Sequence, residues 1–222
     1  MKFRLTYQGE VRPTGRDALP GQKNPLAQHK QHIRRHFHGQ LKYLWETNKF
    51  LKEKRIVPQR HGKAEPPSEY AKWAPTPSSE IPLLDYVAAA HSDFGYRFVP
   101  LVREEWSLLC SLNILFLRRD APGNFGVLSA GDIDNRVKTV IDTLRRPQYQ
   151  TELVGEDADP RPDEDPFFVL LEDDKQVTKL GVEADALLIP PEQPNSDASQ
   201  AGLVITVEIR PYFVTTFNLS FA

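Results

Sequence analysis

Residues 106–146 read WSLLCSLNILFLRRDAPGNFGVLSAGDIDNRVKTVIDTLRR, and the change of period inside this stretch decides the fold. Trp106 to Arg118 is almost continuously apolar, through Leu108, Leu109, Cys110, Leu112, Ile114, Leu115, Phe116 and Leu117. Such a run predicts a central strand covered on both faces. From about Asp132 to Arg146 the apolar residues recur at helical spacing: Ile133, Val137, Val140, Ile141 and Leu144 form one stripe. Pro147 ends that helix, because proline has no N–H to give and disfavours a helical residue before it. A buried strand followed by an amphipathic helix implies a sheet with helices packed on it.

On the N-terminal side, Lys2 to Val11 alternates Phe3, Leu5 and Tyr7 with Lys2, Arg4 and Thr6, as a strand with one buried face does. The Pro/Gly-rich piece from Pro13 to Lys23 ends it. Asn24-Pro25 supplies an N-cap and a first-turn proline, and Leu26, Ile33, Phe37, Leu41 and Leu44 share one face, so a long amphipathic helix follows. Gly39 inside it costs about 1 kcal/mol relative to alanine and marks a place to kink. Ile56 to Pro82 carries six prolines and reads as a loop outside the core. Tyr96 to Val102 reads as a strand. Beyond Pro147 the chain is acidic and proline-containing as far as Pro166, which predicts a solvated loop. Phe167 to Leu171 then leads into Glu172-Asp173-Asp174, and Gln176 to Ala184 and Leu203 to Phe213 read as strands. The expectation is a single α+β (mixed α/β) domain over residues 1–222, with 56–91 and 147–166 as loop insertions and 190–202 as a connecting loop.

Of the 222 residues, 40% are hydrophobic and 26% charged, which excludes disordered and fibrous classes. The one cysteine, Cys110, removes a disulfide framework and any Cys-based zinc site, and its apolar surroundings predict a buried, reduced thiol. No run of eighteen apolar residues occurs and MKFRLTYQGE does not resemble a secretory signal, so the expectation is a cytoplasmic protein with no membrane partner. The net charge of -2 conceals an asymmetry. Residues 1–62 carry 14 Lys and Arg against 4 Asp and Glu, and five of the six histidines; the remainder carries 14 against 26. A basic part of this kind is the footprint of a surface that faces a polyanion; the alternative is a basic part that neutralises the acidic remainder of its own chain.

The chemistry concentrates at Asp132-Ile133-Asp134-Asn135. At about 100° per residue, Asp134, Lys138 and Asp142 fall within an arc of about 80° beside the apolar stripe. Asp132 at or before the N-cap can turn back toward Asp134, at the end of the helix where free N–H groups and the dipole stabilise anions. Crowded carboxylates call for a cation, and hard divalent ions take oxygen ligands while leaving positions open. A third acid is available from Glu172-Asp173-Asp174, and Lys138, one turn beyond Asp134, places a positive charge near a phosphate held by such an ion. This is equipment for metal-assisted phosphodiester hydrolysis.

The longer pattern D-I-D-N-x-x-K-x-x-x-D-x-L, followed by an apolar run into E-D-D-x-Q-V and a strand, resembles the RusA-type Holliday junction resolvases, metal-dependent endonucleases of bacteria and their phages. Carried over by position, the resemblance implies that Asp132 and Asp134 are paired metal ligands, Asp174 the third catalytic carboxylate, Asp173 an assisting neighbour and Lys138 the charge-stabilising lysine. Asp142 matches a position on the same helix with a structural role. It further implies a Mg²⁺ enzyme, with Mn²⁺ as the substitute, acting as a cytoplasmic homodimer on four-way DNA junctions in recombination or repair and leaving 5′-phosphate and 3′-hydroxyl ends. Lys30, Arg34, Arg35, Arg118 and Arg119 are the candidate DNA-binding residues, as donors to phosphates. The competing expectation from the binding class is a branched-DNA-binding protein of the same fold with weak or no cleavage; a D-x-D sugar-nucleotide transferase is disfavoured because its D-x-D normally follows a strand.

Other signals rank lower. His29, His32, His36 and His38 share a region of the first helix without acidic or Cys partners, which argues against zinc. The acids from Asp157 to Asp165 lack the central glycine of a calcium loop and are interrupted by prolines. Trp45 and Trp106 are expected in the core, while Trp73 stays open as a base-stacking residue. No Gly-rich phosphate loop, G-x-S-x-G or H-E-x-x-H occurs.

Overall fold

The N-terminal alternation forms β1 (Lys2–Glu10), with Leu5 and Tyr7 buried and Lys2, Arg4, Thr6 and Gln8 on the exposed face. The computed structural model describes residues 1–14, 25–57, 80–118, 132–153, 159–187, 200–215 and 217–221. The helix expected after Asn24 is α1 (Pro25–Thr47), continuous through Gly39, which stands on its exposed side with nothing near the place a Cβ would take. Its core face is Ile33, Phe37, Leu41 and Trp45, spaced by one helical turn each. Asn48 then caps α2 (Lys49–Glu53) by accepting from Leu51 N at 3.1 Å.

Next come β2 (Arg55–Ile56), β3 (Ile81–Pro82), α3 (Leu83–Ala90), β4 (Ser92–Asp93), β5 (Tyr96–Val102) and β6 (Leu108–Arg118). α4 (Asp132–Leu144) is the helix read from the stripe, and β7 (Phe167–Leu171), β8 (Val177–Ala186) and β9 (Gln200–Pro211) complete the order. A four-stranded mixed sheet runs β1-β9-β6-β8, in which β6 is antiparallel to β9 and parallel to β8. A three-stranded sheet runs β4-β5-β7 with β5 and β7 parallel. α1 lies against α4, β7 and β1, and the residues these elements share with β6 and β9 form one core. The fold is mixed α+β.

Four expectations change. β6 is central, yet only its inner face is sealed: Leu112, Ile114 and Phe116 are buried, while Leu109, Leu115 and Leu117 are half-buried on a face no helix covers among the described residues. The interval 56–91 is not wholly a loop insertion, since α3 buries Leu83, Tyr86, Val87 and Ala88; residues 58–79 lie outside the described part. The acidic segment 147–166 is anchored rather than simply solvated. Leu153 packs with Tyr96, Phe98, Phe167 and Val169, and Glu164 is buried beside Arg35. Residues 190–199 and Trp73 lie outside the described part, and β9 begins inside the interval read as a loop, with Ala201 buried. Trp45, Trp106 and Cys110 are buried as expected; burial pushes the Cys110 thiol up to about 12. No helix among the described residues is long and apolar enough to cross a membrane.

A fold held by the inner face of β6 makes a prediction. Leu112→Ala should lower unfolding stability by about 2–5 kcal/mol, whereas Arg210→Ala, exposed on the other face of the same sheet, should stay within about 0.5 kcal/mol. Urea denaturation of the two variants checks both.

Candidate active site

The sequence builds the site from one helix and one turn. α4 buries Ile133, Val137, Val140 and Leu144, and its first turns are tied to the residues after β1. Arg136 donates to Val11 O at 2.8 Å, and Thr14 N and Oγ1 donate to Asn135 O at 3.2 and 3.1 Å. Asp134 and Lys138 stand exposed on the adjoining face. The Asp134 Oδ1 accepts from Asn135 N at 2.8 Å; Lys138 has no partner among the described residues. Asp132 opens α4, and its side chain lies outside the described part.

At the other end of the site β7 delivers the chain to Glu172. The turn after it is closed by Gln176, which is 3% exposed. Gln176 Oε1 accepts from Glu172 N at 3.1 Å and from Asp173 N at 3.2 Å, while the Asp173 Oδ1 accepts from Lys175 N at 3.0 Å. This is a capping box on the short 3-10 turn Asp174–Gln176. Glu172 Oε2 accepts from Glu104 N at 2.9 Å, which fixes the turn to the end of β5. Lys175 donates outward to Glu104 at 2.6 Å, and that hydrogen bond raises its pKa. Asp174 is left exposed with no partner among the described residues.

A groove of about 370 Å³ lies between α4 and β8. Ile133, Val137, Ile141, Leu180 and Val182 make its apolar walls, and Asp134, Lys138, Asp142 and Asp174 its charged rim. Asp134, Lys138 and Asp174 are therefore brought to one groove by separate elements. Asp173 is not equivalent to them, because its carboxylate is engaged as a cap. Asp142 is 8% exposed and neutralised: Lys30 Nζ donates to its Oδ2 at 2.6 Å, and Arg145 Nε lies 3.6 Å from Oδ1. The donor chemistry of Asp134 and Asp174 suits a hard divalent cation. Among the described residues, no group of three His, Cys, Asp or Glu side chains is placed to hold one. The trio with Asp132 falls outside that description.

The basic helix face is corrected. Lys30, Arg34 and Arg35 do not form a surface of free phosphate donors. Arg34 is 1% exposed, donating to Gln31 Oε1 at 2.6 Å, to Asp142 O at 3.1 Å and to Arg145 O at 3.3 Å, with Glu152 Oε2 at 3.5 Å. Burial lowers its pKa to about 10, so it stays charged at neutral pH. Arg35 donates to Glu164 Oε1 at 2.5 Å. For these three, the neutralisation of the chain's own acidic part is what the geometry realises. Arg118 ends β6, and its carbonyl accepts from Leu187 N at 2.6 Å; Arg119 lies outside the described part. The histidines are directed to different elements: His29 Nε2 accepts from Arg12 N, His36 Nε2 meets Thr6 O, and buried His38 accepts at Nδ1 from Phe168 N. Burial lowers the pKa of His38, in keeping with that acceptor role.

Gln176 is the site residue to which sequence reasoning assigned no role. Its signal was present, since Asp173-x-x-Gln176 has capping-box spacing. Compared with protein-family models, curated proteins and solved structures, the chain matches none.

Two predictions follow from these contacts. Arg34→Ala should cost about 3–5 kcal/mol in denaturant unfolding, because it leaves Gln31 Oε1 and the carbonyls of Asp142 and Arg145 without the Arg34 donor and opens a cavity between the helices. Gln176→Leu should cost about 1–3 kcal/mol by taking the acceptor from the Asp173 N–H, while Glu172 N keeps Val102 O, and Gln176→Glu, which keeps an acceptor, should recover part of that loss.

Proposed function

We propose that the protein is a metal-dependent endodeoxyribonuclease of the RusA type, hydrolysing phosphodiester bonds in branched DNA during recombination or repair. The observation that carries this reading is the groove itself: Asp134 and Lys138 from α4 and Asp174 from the turn after β7 meet on one rim, as the motif resemblance implies. Asp134 and Asp174, joined by Asp132, would hold Mg²⁺ or Mn²⁺. When bound, such an ion lowers the pKa of a coordinated water and offsets charge on the phosphate. Lys138 is the protein's own cation at this rim, placed to bind a phosphate oxygen and to stabilise charge developing on it. The capped turn holds Asp174 in place, so that little ordering is left to DNA binding. The dimer and the junction preference belong to this reading as the resemblance supplies them.

One observation favours a second reading, a branched-DNA-binding protein with weak cleavage. The groove walls are apolar, and only two of its described carboxylates, Asp134 and Asp174, are free of a neutralising partner.

Incubation of the full chain with a synthetic four-way junction and with linear duplex, with and without Mg²⁺, separates the two readings. Mg²⁺-dependent nicking of the junction is expected, and Asp134→Asn or Asp174→Asn should each slow it roughly a hundredfold or more while junction binding is kept or strengthened. Tight binding with no Mg²⁺-dependent nicking would establish the second reading, and cleavage untouched by both substitutions would remove the site from the reaction.

A further inference from the structure

The two edges of the four-stranded sheet are finished differently. At β1, Gln40 of α1 closes the backbone: its Oε1 accepts from Thr6 N at 3.0 Å and its Nε2 donates to Thr6 O at 2.7 Å. His36 adds a contact to the same carbonyl at 3.1 Å. A strand cannot pair there without displacing those side chains. β8 is the opposite edge, ten residues long. Among the described residues, no side chain of another element bonds its backbone, and it contains no proline. From Lys179 to Ala186 it keeps continuous register with β6. Such an edge presents a row of backbone N–H and C=O groups, a template for a further strand.

The order of side chains along β8 says what that strand is. Lys179 lies two residues before Gly181 and Glu183 two residues after it, both exposed and on the same outer face of the sheet, and neither makes an ion pair among the described residues. Leu180 and Val182 flank the same glycine on the inner face, with Leu180 45% exposed. A strand whose charges and apolar residues are arranged in this way about a central residue is complementary to its own reversed copy.

We propose that β8 pairs antiparallel with β8 of a second copy of this chain, about a twofold axis at Gly181. Lys179 then faces Glu183 of the partner subunit twice over, and Leu180 meets the partner's Val182 on the inner side. Gly181 has no side chain to meet its own copy at the axis. The place its Cβ would take is already occupied by Asn113 Oδ1 of β6. The pairing joins two sheets into one and sets the two apolar grooves side by side, each with its own Asp134 and Asp174. It goes beyond the hydrolytic reading, since a dimer by itself specifies no surface, and its test reads mass and not cleavage.

Sedimentation of the full chain over a range of concentrations provides that test. The wild-type chain should form a concentration-dependent dimer. Lys179→Glu and Glu183→Lys, each placing like charges face to face, should weaken it by roughly tenfold or more. A 1:1 mixture of the two single variants should dimerise again, because each like-charged strand then meets its complement, and the double variant K179E/E183K should dimerise alone. Circular dichroism checks that the singles remain folded. A wild-type chain that stays monomeric at all concentrations, as it would if β8 receives an extended segment of another protein, overturns the proposal. So do single variants that dimerise as well as wild type, and so does a loss that mixing fails to repair.

Discussion

A guanidinium taken out of water between two helices must have its charge balanced and its donors engaged, and Arg34 meets that constraint by binding α1, α4 and the segment after it together. Its donors reach two α4-side carbonyls, Asp142 O and Arg145 O, and its charge faces Glu152. Beside it, Lys30 and Arg145 neutralise Asp142. Asp142 and Glu152 each face two cations, with Arg145 common to both, so the network is shared across the helices and holds one arrangement even where its net contribution to stability is small. That arrangement sets the rotation of α4, and the rotation presents Asp134 and Lys138 to the groove beside β8.

A second constraint holds the other side. Arg146 N donates to Leu171 O and Gln148 Nε2 to Glu172 O, so the end of α4 and the end of β7 are bonded together. Among the described residues, Asp174 is the acid of its turn with no engagement, because Asp173 serves as the cap and Glu172 binds the end of β5. The three neighbouring acids thus have three different tasks, assigned by backbone geometry.

The periodic elements were readable in the sequence because burial on one face leaves its mark on spacing: β1, α1, α4 and β7 follow from Leu5 and Tyr7, from Ile33, Phe37 and Leu41, from Ile133, Val137 and Val140, and from the apolar run at Phe167. α3 was hidden because the prolines before it suggested a loop and its eight residues hold too few turns for a pattern. The pairing of the groove's rim came from the motif, while the capping function of Gln176 needed the turn's hydrogen bonds. The basic face misled for a physical reason. Charge counted along a chain cannot distinguish an arginine that faces solvent from one that crosses the core, and Glu152 and Glu164 lie far from Arg34 and Arg35 in sequence.

The two carboxylates of the groove with no ion-pair partner among the described residues, Asp134 and Asp174, are expected to act on one cation. Calorimetric titration of Mn²⁺ into the full chain measures this without DNA and without turnover. Saturable binding to the wild-type chain that is lost in both Asp134→Asn and Asp174→Asn, with folding intact, is the predicted result. An affinity that neither substitution changes, or no saturable binding at all, would contradict it.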